Sequence, residues 1–147
     1  NRTIPPLNYE RAYEVKKEFP SLSIVVNGGI DTVSDIQQHW QHLDGVMIGR
    51  EAYHNPFFLA DIEHQLFQQP LLDRKAVLDD YIQYVEKQLM LGVSLQNMTR
   101  HILGLFAAQP GGKHWRRYLS EHARHKGAGT EVLLEGLEAM AHYATII

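Results

Sequence analysis

Leu22-Ser23-Ile24-Val25-Val26 runs into Asn27-Gly28-Gly29, and Gly45-Val46-Met47-Ile48-Gly49 runs into Arg50. Each stretch is a short apolar run ended by a glycine turn, the pattern of a buried strand meeting a loop. Between them Thr32 stands three residues before Asp35, the spacing of a capping box, and Val33, Ile36, Trp40 and Leu43 follow at helical intervals. Strand, amphipathic helix and strand make a βαβ unit. A single helical crossover makes the two strands parallel, with a right-handed connection, and brings both glycine loops to the C-terminal end of one sheet.

Upstream, Ile4-Pro5-Pro6-Leu7 reads as an extended entry, because each proline fixes its own φ and keeps the preceding residue out of the α region. Asn8 can cap a helix with Glu10 in its first turn, an apolar stripe of Ala12, Val15 and Phe19, and Pro20 at its end. Downstream, Asn55-Pro56 suits a helix start, and Phe58, Leu59, Ile62 and Leu66 form its apolar face. Tyr53-His54-Asn55 leads into it. Gln68-Gln69-Pro70 breaks the pattern, so the expected domain boundary divides residues 1–69 from 70–147.

Everything beyond that break reads as helix. Asp73 caps a segment carrying Val77, Tyr81, Val85 and Leu89, which Gly92 ends. Ser94 can cap a second with Leu95, Met98, Ile102, Leu105 and Phe106. Gln109-Pro110-Gly111-Gly112 is a turn, a third helix carries Trp115, Leu119 and Ala123, and Thr130 opens a fourth with Leu133, Leu137 and Met140. The expected fold is therefore α/β followed by an all-α part.

Composition limits the chemistry. The 147 residues include no cysteine, which excludes a disulfide framework, a zinc ribbon and a thiol nucleophile on these residues. With 44% apolar and 21% charged residues the chain can bury a core, and its longest apolar runs are far too short to span a membrane. It opens Asn1-Arg2-Thr3 with neither an initiator Met nor an apolar leader, as expected of a processed or excerpted piece. The net charge of −3 conceals an asymmetry. Residues 1–95 hold 8 basic and 13 acidic side chains, whereas 96–147 hold 6 and 4. All six of these basic residues, Arg100, Lys113, Arg116, Arg117, Arg124 and Lys126, fall within 98–126 beside a single acid, Glu121. Such clustering draws in a polyanion, although a solvated basic helix face looks the same in sequence.

The two loops carry the sharper signal. Ligands of α/β folds bind at the C-terminal ends of parallel strands, glycines let backbone N–H groups approach phosphate oxygens, and Arg50 offers a charged fork. In a (β/α)8 barrel the loops after the seventh and eighth strands frequently build such a phosphate site. A tight left-handed turn needs glycine with no ligand at all, so both readings stand at this point. His39 with His42, and His122 with His125, lie at i, i+3 spacing without an obvious third ligand, and no metal is expected. Trp40 and Trp115 lie on apolar stripes and read as core; Tyr118, beside the arginines, is a candidate for touching RNA.

Several blocks together resemble the C-terminal part of tRNA-dihydrouridine synthases of the A type. They are Asn1-Arg2-Thr3-Ile4-Pro5-Pro6-Leu7, Val26-Asn27-Gly28-Gly29-Ile30, Asp44-Gly45-Val46-Met47-Ile48-Gly49-Arg50-Glu51-Ala52-Tyr53, Arg100-His101-Ile102-Leu103-Gly104-Leu105-Phe106 and Trp115-Arg116-Arg117-Tyr118-Leu119. The resemblance implies a cytoplasmic, monomeric flavoenzyme that reduces uridine to dihydrouridine in the tRNA D-loop, at positions 20 and 20a, with FMN recharged by NADPH. It implies the last two strands of a (β/α)8 TIM barrel followed by a C-terminal helical bundle that binds tRNA. Asn27, Gly28, Gly29, Gly49 and Arg50 match positions that hold the FMN phosphate. Arg2, Arg100, Lys113, Arg116 and Arg117 become candidate tRNA contacts. The family's general acid is a cysteine on an earlier strand, so no catalytic residue is expected in this chain, and the chain alone is expected to be inactive. Two alternatives remain: a helical RNA-binding module without catalysis, and another phosphate-binding barrel enzyme.

Overall fold

The computed structural model describes residues 6–145. The chain forms two compact units, Asn1–Ala52 and Tyr53–Ile147. In the first, α1 (Tyr9–Glu18) is capped by Asn8, whose side chain accepts from the Arg11 N–H at 3.1 Å. The strands β1 (Val25–Asn27) and β2 (Gly45–Met47) pair in parallel with Val25 opposite Gly45 and Asn27 opposite Met47. Between them α2 (Val33–Trp40) starts at the expected capping box: Asp35 N–H donates to Thr32 Oγ1, and the Asp35 carboxylate accepts from Thr32 N–H at 3.0 Å. The βαβ unit is thus as the sequence implies, though both strands are shorter than the apolar runs.

The N-terminal end of the sheet is tied by side chains. The Asp44 carboxylate accepts from Ile24 N–H at 2.8 Å and from Lys16 Nζ, which also donates to the carbonyls of Pro20 and Leu22. The Ile24 N–H, and after it Lys16, holds the Asp44 carboxyl below the usual carboxylate range. The helices pack differently from the expected stripes. Phe19 and Trp40 stay 47% and 40% exposed, whereas Tyr13 and His39 are buried. Tyr13 Oη lies 2.7 Å from His39 Nδ1, so a polar pair takes the inner face that the apolar pattern assigned to Phe19 and Trp40. Ile36 and Leu43 are buried beside it.

The chain passes through α3 (Arg50–His54), a short helix that the reading of Tyr53-His54-Asn55 as a lead-in missed. In the second unit a turn from Asn55 and Pro56 opens into α4 (Phe58–Phe67), which ends at Gln68 in the left-handed conformation. The helix break near Pro70 therefore exists, but the second unit begins at Tyr53. Phe57 and Ala60 belong to its core, together with Leu78, Val85, Leu95, Trp115 and Leu133. α5 (Arg74–Met90) carries the expected Asp73 cap, accepting from Ala76 N–H at 3.1 Å. α7 (Gly112–His122) packs along α8 (Glu131–Ala144), and Gly136 admits Leu119 and the Trp115 ring closely enough that a Cβ there would sit 2.6 Å from Leu119 Cδ1.

One expected helix is cut short. α6 (Leu95–Thr99) gives way to successive i→i+3 turns from Met98 to Ala107. The carbonyls that would continue the helix are taken by side chains: Trp115 Nε1 donates to Ile102 O at 3.0 Å, and Arg74 Nη1 donates to Leu105 O. Gly104 lies against the backbone of His54, where a Cβ would fall 1.7 Å from the carbonyl oxygen. Apolar spacing survives in this segment because the tighter turns still bury Ile102, Leu105 and Phe106.

Candidate functional site

Two groups of the expected residues are placed by these elements, one in each unit. In the first, the β1–β2 register puts Asn27 level with Met47, so the Asn27-Gly28-Gly29 loop and the Gly49-Arg50 loop leave the same end of adjacent strands. Gly28 and Gly29 have φ of +124° and +67°, conformations that side-chain-bearing residues rarely adopt. The turn they make is filled from below. A Cβ on Gly28 would meet Leu7 Cδ2 at 2.8 Å, and one on Gly29 would meet Leu7 Cδ1 and Tyr9 Oη at 2.7 and 2.8 Å.

Tyr9 contributes a bond that the sequence reading did not identify. Its hydroxyl donates to Gly28 O at 2.7 Å, and its ring packs edge-to-face on His39 with centroids 4.4 Å apart. In a trans peptide the C=O and the following N–H point in opposite directions. With Gly28 O held on Tyr9, the Gly29 N–H is turned away from it and outward from the Leu7 and Tyr9 floor. No sequence signal marked Tyr9 beyond its place one residue after a helix cap.

Gly49 is open, with nothing nearer to a would-be Cβ than Met47 Sδ at 3.9 Å. Arg50 is exposed and forms no ion pair among the described residues. Asn27 is exposed as well. Peptide N–H groups, an exposed amide and a guanidinium at one strand end suit an anion.

In the second unit Arg100, Lys113 and Arg116 converge. Arg100 caps the end of α6, while Lys113 and Arg116 lie one turn apart on α7. Arg100 and Arg116 line one cavity of about 270 Å³ with Tyr53, His54 and Gly104. Lys113 and Arg116 line an adjoining one of about 470 Å³ with Gln109 and Pro110. Tyr53 packs edge-to-face on His101, with centroids 5.7 Å apart. Arg117 lines neither cavity. It makes an i, i+4 ion pair with Glu121 at 2.9 Å, a contact that holds the Glu121 carboxyl below its ordinary range. At 74% exposure that pair is screened by solvent and leaves the guanidinium exchangeable. Arg2 lies outside the described residues.

The remaining polar candidates have structural partners. Tyr118 donates to the Glu135 carboxylate at 2.6 Å and stacks on His122, whose Nδ1 donates to Tyr118 O. That bond to Glu135 is the first cause that raises the Tyr118 hydroxyl above its ordinary pKa. His39 is committed to Tyr13.

A parallel βαβ unit followed in the same chain by a helical unit defines an α/β protein with an appended helical part. A family model described as dihydrouridine synthase (Dus) matches residues 1–142, so the chain belongs to the dihydrouridine synthase family. It is 50% identical over 139 residues, 93% of the chain, to the tRNA-dihydrouridine(20/20a) synthase of Vibrio cholerae. It is 47% identical over 143 residues, 96% of the chain, to the protein of that name from Pasteurella multocida, and 49% identical over 138 residues, 94% of the chain, to that of Xanthomonas axonopodis pv. citri. These matches cover 42%, 44% and 41% of the relatives, so the chain spans about two fifths of their length.

Proposed function

We propose that this chain is the C-terminal part of a tRNA-dihydrouridine synthase that reduces uridine in the tRNA D-loop, at positions 20 and 20a, using FMN and NADPH. The observation that carries the reading is the near-half identity along almost the whole chain to proteins of that stated activity. It also disfavours both alternatives, a non-catalytic RNA module and an unrelated phosphate-binding barrel enzyme. The β1–β2 pair is then part of a larger parallel barrel. Its short, twofold-open sheet and the exposure of Val25 and Met47, at 56% and 46%, are compatible with further strands beside it.

The first unit fits a flavin phosphate. Gly29 N–H, with its peptide turned by Tyr9, and the Gly49 backbone would receive phosphate oxygens, Arg50 would neutralise them, and Asn27 would add an amide. Held there, FMN would supply hydride chemistry for reducing the uridine C5–C6 double bond. The chain has no cysteine, so the cysteine general acid that the family resemblance implies would come from outside these residues. The second unit would hold the RNA backbone. Arg100, Lys113 and Arg116 neutralise phosphates, and Arg117 joins them by exchanging Glu121 for a phosphate oxygen. The described residues contain no helix long and apolar enough to cross a membrane.

The test is flavin affinity of the full-length protein with Arg50→Ala, read by FMN fluorescence. Loss of one charge-assisted hydrogen bond, about 1.5–3 kcal/mol, predicts roughly 10- to 150-fold weaker binding. Unchanged FMN affinity would overturn the assignment of Arg50.

A further inference from the structure

Between α6 and α7 lies a cavity of about 330 Å³ whose lining shares only Arg100 with the phosphate assignment and nothing with the flavin assignment. Gln96, Asn97 and Arg100 bring two amides and a guanidinium to it from α6 and its C-cap, and Leu103 and Leu119 give it apolar surface. Thr99, only 2% exposed, lines it as well. Ser120, from α7, spends its proton on Arg116 O at 2.7 Å and so meets the cavity as an acceptor.

We propose that this cavity is a nucleobase pocket that takes one unstacked RNA base presenting carbonyl acceptors, guanine or uracil. The proposal rests on the tRNA reading above and adds to it the place where base identity is read. Three features carry it. Each amide of Gln96 and Asn97 offers a donor and an acceptor side by side, the complement of a base edge, and Arg100 adds donors that select carbonyl oxygens. The leucines offer the flat face of a base an apolar surface, and about 330 Å³ is at the small end of ligand pockets, room for one base. Arg100 also lines the neighbouring cavity with Arg116, so a strand whose phosphate is held by Arg116 has its base beside Gln96 and Asn97. Single-stranded loops of RNA are read in this way, by base edges, while cations hold the backbone.

The test measures binding of an unmodified tRNA transcript, and of short oligo(U) and oligo(A), to the full-length protein across a salt series. Asn97→Ala and Gln96→Ala, both at exposed positions, are expected to weaken tRNA binding roughly 5- to 20-fold each, to erase a preference for oligo(U) over oligo(A), and to leave the slope of log K on log salt unchanged. Arg116→Ala is expected to do the opposite, lowering the slope by about 0.7–0.9 while keeping the base preference. If the wild-type protein binds tRNA steeply with salt but the amide variants match it in affinity and preference, the pocket is refuted and the tRNA reading stands. If the wild-type protein does not bind tRNA, both fall.

Discussion

Tyr9→Phe removes one oxygen from the protein and tests how the glycine loop is held. The lost hydroxyl donates to Gly28 O at 2.7 Å from a part-buried position, and the ring that remains keeps its edge-to-face contact with His39. A neutral hydrogen bond of this kind contributes about 1 kcal/mol, and a carbonyl left without its partner raises the cost toward 2 kcal/mol. If the bond orients the Gly28–Gly29 peptide for an anion, the free loop populates other orientations in the variant. Apparent FMN affinity then falls by the inverse of the competent fraction, roughly 5- to 30-fold for 1–2 kcal/mol. The assay is FMN fluorescence titration beside thermal unfolding, with Tyr13→Phe as the control. Tyr13 bonds His39 at 2.7 Å and does not touch the loop, so its loss is expected to lower the melting temperature while FMN affinity holds. Equal FMN affinities for wild type and Tyr9→Phe, with only the melting temperature reduced, would refute the orienting role.

Two further predictions concern the fold. Gly104→Ala places a methyl against backbone, 1.7 Å from His54 O, where no side chain can yield, so a loss of about 3 kcal/mol or more is expected in denaturant unfolding; a loss below 1 kcal/mol would mean that this segment rearranges freely. Acid should destabilise the first unit through Asp35, held down chiefly by the Thr32 hydroxyl, and Asp44, held down chiefly by the Ile24 N–H. Their folded pKa values lie below the unfolded ones, so their stabilisation is complete above the ordinary carboxylate pKa of about 4 and is lost as pH falls toward the folded values. Melting temperature between about pH 6 and 3 should fall less steeply in Asp35→Asn and Asp44→Asn than in wild type, and parallel curves would count against these bonds.

The βαβ unit was legible because its signals are local: a capping box at Thr32 and Asp35, and two apolar runs each stopped by glycine. The cationic cluster was legible as composition, but its division was not. Arg116 and Arg117 are adjacent in sequence, yet one lines two cavities and the other is tied to Glu121, a difference of one helical step. Long-range bonds left no trace. Periodicity extended α6 through Phe106, whereas Trp115 and Arg74 take the carbonyls that a longer helix would need. Tyr9, Tyr13 and His39 were hidden for a related reason, since polar aromatics that satisfy one another inside read as surface residues in an apolar pattern. The expected boundary at residues 69 and 70 followed a real helix break, while Phe57 and Ala60 already pack with the helical core.

The most direct measurement is the dihydrouridine content of tRNA after incubation with the full-length protein, FMN and NADPH, read position by position by mass spectrometry. A gain of two hydrogens at uridines 20 and 20a, with NADPH consumed only when tRNA is present, is the expected result. Intact uridines at both positions with flavin and tRNA bound would contradict the proposed activity.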